Sequence, residues 1–93
     1  MTRKVFSVFD SVAKVYGMPF VFVHEGEAMR WLNDMVRDDR SLLSKHPEDY
    51  KLYRLGTFDD IAGKFNIQEP EFLCNAVDFV PASQKGVISN DKN

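Results

Sequence analysis

Two histidines, His24 and His46, one cysteine, Cys74, and the carboxylate pairs Glu48-Asp49, Asp59-Asp60 and Glu69/Glu71 are the groups from which a catalytic or metal centre would be assembled. The histidines lie on either side of a helical stretch, with no His-x-x-x-His or Cys/His spacing to close a zinc site. Asp59 and Asp60 sit beside Gly63 without the ligand alternation or closing glutamate of a calcium loop, so turn hydrogen bonding is their expected role. Ser44 stands next to Lys45 and His46, but neighbours in sequence seldom aim at one centre, and no oxyanion loop accompanies them. Glu48-Asp49 and Glu69/Glu71 fall in segments that read as solvated, whereas paired acid/base carboxylates need a cleft. No glycine-rich phosphate loop is present. These patterns predict a protein that is not an enzyme and carries no metal and no cofactor.

Rings and cations are interleaved around a hairpin instead: Tyr50, Lys51, Tyr53 and Arg54, then Lys64 and Phe65 across a turn. Alternate residues of a strand share a face, so Lys51 and Tyr53 go together, while Arg54 goes with Leu52. Aromatic rings stack unpaired bases at ~1–3 kcal/mol each while cations follow the phosphates, which is how a sheet surface holds single strands. Lys14 and Tyr16 join this set if the arm that carries them folds over the sheet. The nucleic-acid-binding candidates are therefore Lys14, Tyr16, Lys51, Tyr53, Arg54 and Lys64. The competing assignment puts Tyr53, Leu55 and Phe65 in the core and leaves Lys51 and Lys64 as solubilising charges.

The elements that must position these residues are legible in outline. Val5, Phe6, Val8 and Phe9 around Ser7 predict a first strand, apolar on both faces and hence central or covered. Ser11 to Met18 fits either a short helix or an irregular arm before Gly17. Phe20 to Val23 reads as a strand or an extended lead-in, and the extended reading is preferred. Glu25 to Arg37 has the helical stripe Ala28, Leu32, Met35 and Val36, acids in the first turn and Arg37 in the last. Ser44 to Asp49 is a loop or a single turn started by Pro47. The hairpin pairs Tyr50–Phe58 with Lys64–Gln68 around Asp59-Asp60-Ile61-Ala62-Gly63. A last strand follows Pro70, from Phe72 to Val80, and ends at Pro81. The expected fold is α+β, a mainly antiparallel sheet of about four strands with one principal helix on one face, in a single domain over residues 1–80. The polar composition of residues 81–93 predicts a flexible C-terminal tail.

Ninety-three residues allow one modest core, which in so short a chain removes a little over ~60% of the unfolded surface from water. With 44% hydrophobic and 28% charged residues, the chain falls in the ordinary globular class. Eight Phe, three Tyr and one Trp exceed what such a core needs, which predicts rings at a surface. The formal charge of −2 and pI near 5.6 exclude a global positive field for coating DNA, leaving only a local basic face. A lone Cys74 rules out an internal disulfide, fits a reducing compartment and reads as a small buried hydrophobe. No apolar run reaches ~18 residues, so no membrane span and no membrane partner are expected.

Three separated blocks carry a family resemblance: Val5-Phe6-Ser7-Val8 with Asp10-Ser11; Ser44-Lys45-His46-Pro47-Glu48-Asp49-Tyr50; and Leu55-Gly56, Phe58-Asp59 and Gly63-Lys64-Phe65. In these blocks, over about Lys4 to Val80, the chain resembles the small nonstructural protein of gokushovirus-type microviruses, icosahedral phages with circular single-stranded DNA genomes. The resemblance implies an accessory protein of the host cytoplasm, acting in the switch from double-stranded replication to single-stranded genome synthesis and packaging, with single-stranded DNA as partner. It implies no catalytic residues. The alternative is a non-enzymatic interaction protein that binds a viral or host replication factor through exposed aromatics such as Tyr16, Phe20 or Phe22. Edge strands and spare rings are compatible with a homodimer.

Overall fold

The computed structural model describes residues 1–81; beyond Pro81, the tail expected over residues 81–93 lies outside the described residues. Strands β1 (Thr2–Asp10), β2 (Val15–Tyr16), β3 (Phe20–Phe22), β4 (Tyr50–Asp59) and β5 (Lys64–Asn75) form one antiparallel sheet. Its order is β2-β1-β4-β5, and β3 pairs with the other end of the β1 edge that β2 uses. Helix α1 (Glu25–Arg37), a short helix α2 (Leu42–Lys45) and 3-10 turns at Pro47–Asp49 and Ala76–Phe79 complete the chain. The α+β expectation is met, with β1 central as its two-sided apolar pattern required.

Helix α1 forms where the sequence places it. Glu25 and Glu27 occupy the first turn and Arg37 the last, and the His24 amide donates to the Glu27 carboxylate at 2.9 Å. Its buried stripe of Ala28, Leu32 and Val36 packs with Phe6 of β1, Leu52 of β4 and Ala76. Phe20 packs at a tilt against Trp31, centroids 4.5 Å apart, and closes one side of this core. Phe20 and Phe22 both lean on Phe6, so the two rings read as surface anchors for a partner belong to the core margin instead.

Register divides the sheet residues between two faces. Phe6 lies opposite Arg54, Val8 opposite Leu52 and Asp10 opposite Tyr50, all on the helix side. Ser7 opposite Tyr53 and Phe9 opposite Lys51 therefore point to the helix-free side. Beyond a bulge at Leu55 the helix-free side continues through Val5, Gly56 and Phe58, with Ile67 and Phe65 across from them on β5.

The separate last strand expected after Pro70 does not exist as such. Lys64 to Asn75 is one strand, and only Leu55 of β4 faces the three residues Gln68, Glu69 and Pro70. Pro70 is absorbed in this wide bulge on an edge strand, where its missing N–H interrupts no ladder. Residues from Ala76 on turn into 3-10 geometry, not the strand read through to Val80.

Two turns of the sheet share one chemistry. In Asp10-Ser11-Val12-Ala13-Lys14 the Asp10 carboxylate accepts the amides of Val12 and Ala13, and the Lys14 amide donates to the Asp10 carbonyl at 2.7 Å. In Asp59-Asp60-Ile61-Ala62-Gly63 the same bonds run from Ile61 and Ala62 to the Asp59 carboxylate, and from Gly63 to the Asp59 carbonyl at 2.8 Å. Both end on a left-handed residue, Gly63 at φ 69° and Lys14 at φ 63°. The segment left open between helix and arm is thus a hairpin turn leading into β2.

Candidate nucleic-acid interface

Across the helix-free side, each of the four strands in the sheet path contributes one ring to a single row: Tyr16 from β2, Phe9 from β1, Tyr53 from β4 and Phe72 from β5. Pairing fixes this row, because Phe9 lies opposite Tyr16 and Tyr53 opposite Phe72. Ring centroids are 4.8 Å apart for Phe9–Tyr16, 5.5 Å for Tyr16–Tyr53, 6.1 Å for Phe9–Tyr53 and 5.7 Å for Tyr53–Phe72. Tilted and edge-to-face contacts at these distances are favourable for aromatic quadrupoles, so the rings hold one another in place. The outer two remain open to solvent, Tyr16 at 42% and Phe72 at 48% exposure. Four strands at ~4.8 Å spacing give the row a length of roughly 14 Å.

Lys51 flanks this row from β4, with its ammonium 3.4 Å from the Asn75 side-chain oxygen. Lys14 closes the turn that delivers β2, two residues before Tyr16, and its side chain is exposed. At the centre of the face the Ser7 hydroxyl, fully buried, donates to the Gly17 carbonyl at 2.8 Å, and the Gly17 amide donates to the Val8 carbonyl. These two bonds fasten the arm after β2 along β1 and fix the position of Tyr16.

Among the described residues, no paired strand residue on the helix-free side is a carboxylate. Asp10, Asp59 and Glu71 take helix-side register positions, and Glu69 lies in the bulge. The cations of that side are Lys51 and Arg3, and Arg3 is engaged at the hairpin tip, its Nε 3.0 Å from Asp60. An acidic chain thus keeps one face of its sheet free of strand carboxylates.

Three of the six candidates come together here, Tyr16, Lys51 and Tyr53, and Lys14 lies in the turn two residues before Tyr16. Arg54 is a correction, since its register position turns it to the helix side. There its guanidinium pairs with Glu71 at 2.9 Å, and its Nε is buried without a partner. Lys64 is a second, because it sits at the hairpin tip opposite Asp59, also in helix-side register. Tyr50 likewise packs against the core, where burial and the nearby Asp10 and Asp49 carboxylates raise its hydroxyl pKa. Phe9 and Phe72 escaped sequence reasoning, which had placed Phe9 in a strand interior and Phe72 in a separate strand. Their alternation with Ser7 and with Glu71 was visible, but only the long-range pairing puts them beside Tyr53.

Other chemistry is thin. Cys74 is half-buried, and burial, then Asp78 and Glu25, push its thiol up to about 11, which makes it an inert packing group at neutral pH. His46, Glu48 and Asp49 bring potential ligand atoms within 4.8 Å of one another at the surface. No helix among the described residues is long and apolar enough to cross a membrane.

Comparison with known proteins places this geometry in a family. No solved structure matches the chain. The chain is 33% identical over 64 residues to Protein ORF5 of Chlamydia phage 1, an alignment covering 64% of this chain and 67% of that protein. The family model described as Phage ORF5 protein matches residues 3–79, which is nearly all of the described fold. The chain belongs to the phage ORF5 protein family, and it is a small protein of Microviridae-type phages.

Proposed function

We propose that this phage protein binds single-stranded DNA on the helix-free side of its sheet, as a non-enzymatic accessory in the host cytoplasm. On this reading its partner is the viral genome, and its moment is the switch from double-stranded replication to single-stranded synthesis and packaging. The observation that carries the proposal is the row of Tyr16, Phe9, Tyr53 and Phe72 beside Lys51, on a face without strand carboxylates. Sheet aromatics of this kind stack about two or three unpaired bases, and a 14 Å row has room for that number. Duplex DNA offers its bases only edge-on in grooves, so a row of sheet rings favours the single strand. The acidic pI is no obstacle to a local contact, because among the described residues the paired strand carboxylates Asp10, Asp59 and Glu71 take helix-side register positions.

The test is fluorescence anisotropy of a labelled single-stranded oligonucleotide at low and moderate salt, with duplex DNA as competitor. Binding should prefer the single strand and weaken as salt rises, since each neutralised phosphate releases counterions. Phe72→Ala should weaken it by about 5- to 150-fold, the equivalent of ~1–3 kcal/mol for one stacked base, without loss of fold. Salt-insensitive or absent binding would instead favour the second reading, a protein partner for the same rings. That reading draws on the sparse charge of the row, to which only Lys51 contributes directly.

A further inference from the structure

Among the described residues, the outer edge of β5 is the least covered part of the sheet. Every residue from Lys64 to Phe72 is exposed, with Ile67 at 87% and Phe65 at 62%, and β5 is the terminal strand of the sheet path. Natural edges are blunted by bulges, proline and charge, and this one has all three at Gln68-Glu69-Pro70. The protection stops there. Lys64 to Ile67, between that bulge and the turn, pairs regularly with β4 on its inner side and presents a flat outer edge. Beside it on the helix-free side lies an apolar cavity of about 210 Å³, lined by Val5, Pro19, Leu55, Gly56, Phe65 and Ile67 together with Asn66.

We propose that this edge pairs with the same edge of a second copy, antiparallel and centred on Asn66. The charge order along β5 selects that arrangement: Lys64 at one end and Glu69 and Glu71 toward the other, so an antiparallel copy brings the cation of each strand toward the acids of its partner. A parallel copy would set like beside like. Mutual cover of the exposed apolar residues selects the centre. A two-fold axis perpendicular to the sheet keeps each side chain on its own face, so paired residues must share a face. Centring on Asn66 satisfies this and sets Phe65 opposite the second copy's Ile67 and Ile67 opposite its Phe65, both on the helix-free side. The two most exposed apolar residues of that strand are covered by each other, next to the cavity they line. Lys64 then faces the second copy's Gln68, adjacent to its Glu69. The same axis leaves the ring rows of both copies on one side of a continuous sheet. This inference does not rest on what the ring row binds.

The test is the association state of the full chain by sedimentation, from about 1 µM to about 1 mM, because a short edge contact belongs to the low end of interface sizes. A monomer–dimer equilibrium is expected, and Ile67→Asp should weaken it at least ~10-fold while the circular dichroism spectrum is unchanged. Directly opposed Cα atoms in antiparallel strands lie ~4.5–5.5 Å apart, inside the span a disulfide bridges. Asn66→Cys in a Cys74→Ala background should therefore oxidise to a covalent dimer, and Glu69→Cys, in the bulge, should not. A chain that stays monomeric at the highest concentration overturns the proposal. So does a dimer indifferent to Ile67→Asp, or one in which Glu69→Cys cross-links and a folded Asn66→Cys does not.

Discussion

Lys14 provides a perturbation in which stability and binding should move in opposite directions. It holds φ 63° at the end of a turn whose twin places Gly63 at φ 69° in the same position. A left-handed backbone costs an L-residue ~1–2 kcal/mol, because Cβ crowds the following carbonyl, and costs glycine almost nothing. Lys14→Gly removes that strain and adds back ~0.5–1 kcal/mol of unfolded-chain entropy. The net expectation is a protein from equally stable to ~1.5 kcal/mol more stable, which for a domain of this size raises Tm by roughly 4–8 °C per kcal/mol gained. A backbone cost retained at an exposed position points to the side chain, and this one belongs to the turn that delivers Tyr16 to the ring row.

If Lys14 follows a phosphate there, its removal should cost about 1 kcal/mol, or about fivefold in affinity, for a charge pair in solvent. The slope of log affinity against log salt should fall by about 0.7, the counterion share of one single-strand phosphate. Thermal melts and anisotropy titrations of the same preparation read both quantities. Gly63→Lys is the matched control at the other turn and should lower stability without touching binding. Lys14→Gly that is clearly less stable than the parent would refute the strain argument. A more stable variant with unchanged affinity and salt slope would refute the role given to the ammonium.

Two further perturbations bear on the hairpin. A Cβ added at Gly56 would land on the Asn66 carbonyl oxygen, a backbone atom that cannot rotate away, and the φ of 157° is itself rare for residues other than glycine. Gly56→Ala should therefore force β4 and β5 apart and destabilise the fold by about 1–3 kcal/mol, measured by denaturant titration. Asp59 accepts the Ala62 and Ile61 amides, which hold its carboxyl below the ordinary value of 3.8. A depressed folded pKa means the turn is fully supported above pH ~4 and loses that support as pH falls through the folded value. Amide chemical shifts of Ile61 and Ala62, followed between pH 6 and 2 by NMR, should report this transition, and Asp59→Asn should abolish it.

Local signals were legible wherever one segment sufficed to set them. Helix α1 was delimited at both ends, because an i, i+4 apolar stripe and the charge order of its first and last turns coincide within thirteen residues. The Asp59 turn was readable from Gly63. Its twin at Asp10 was not, since lysine hides the left-handed position, although Asp-x-apolar-Ala is shared by both. Pro70 pointed to a strand end, yet an edge strand tolerates proline inside a bulge, and edge status is a property of the whole sheet. The candidate interface was half visible for the same reason. Alternation within β4 joined Lys51 to Tyr53 and set Arg54 on the other side, whereas the union with Phe9, Tyr16 and Phe72 depends on one unrecognised hairpin and on two pairings between residues far apart in sequence.

The division of charge between the two sides of the sheet bears on how an acidic protein can attend to nucleic acid at all. Overall charge sets the field a polyanion meets on approach, screened beyond a Debye length of about 8–10 Å, and at −2 it offers no attraction. Contact within that distance answers to the local surface, where Lys51 stands beside four rings and the strand carboxylates face away. On the proposed reading, the site would depend on stacking more than on ion pairing, with a small but measurable salt slope and a marked dependence on Phe72 and Tyr16. On that reading it would also discriminate among partners, because a duplex must approach through its phosphates against an acidic molecule, while an unpaired strand can bring its bases to the rings. A second copy joined at β5 would set two such rows on one side of the same sheet, and linked weak contacts bind a long strand more tightly than either row alone.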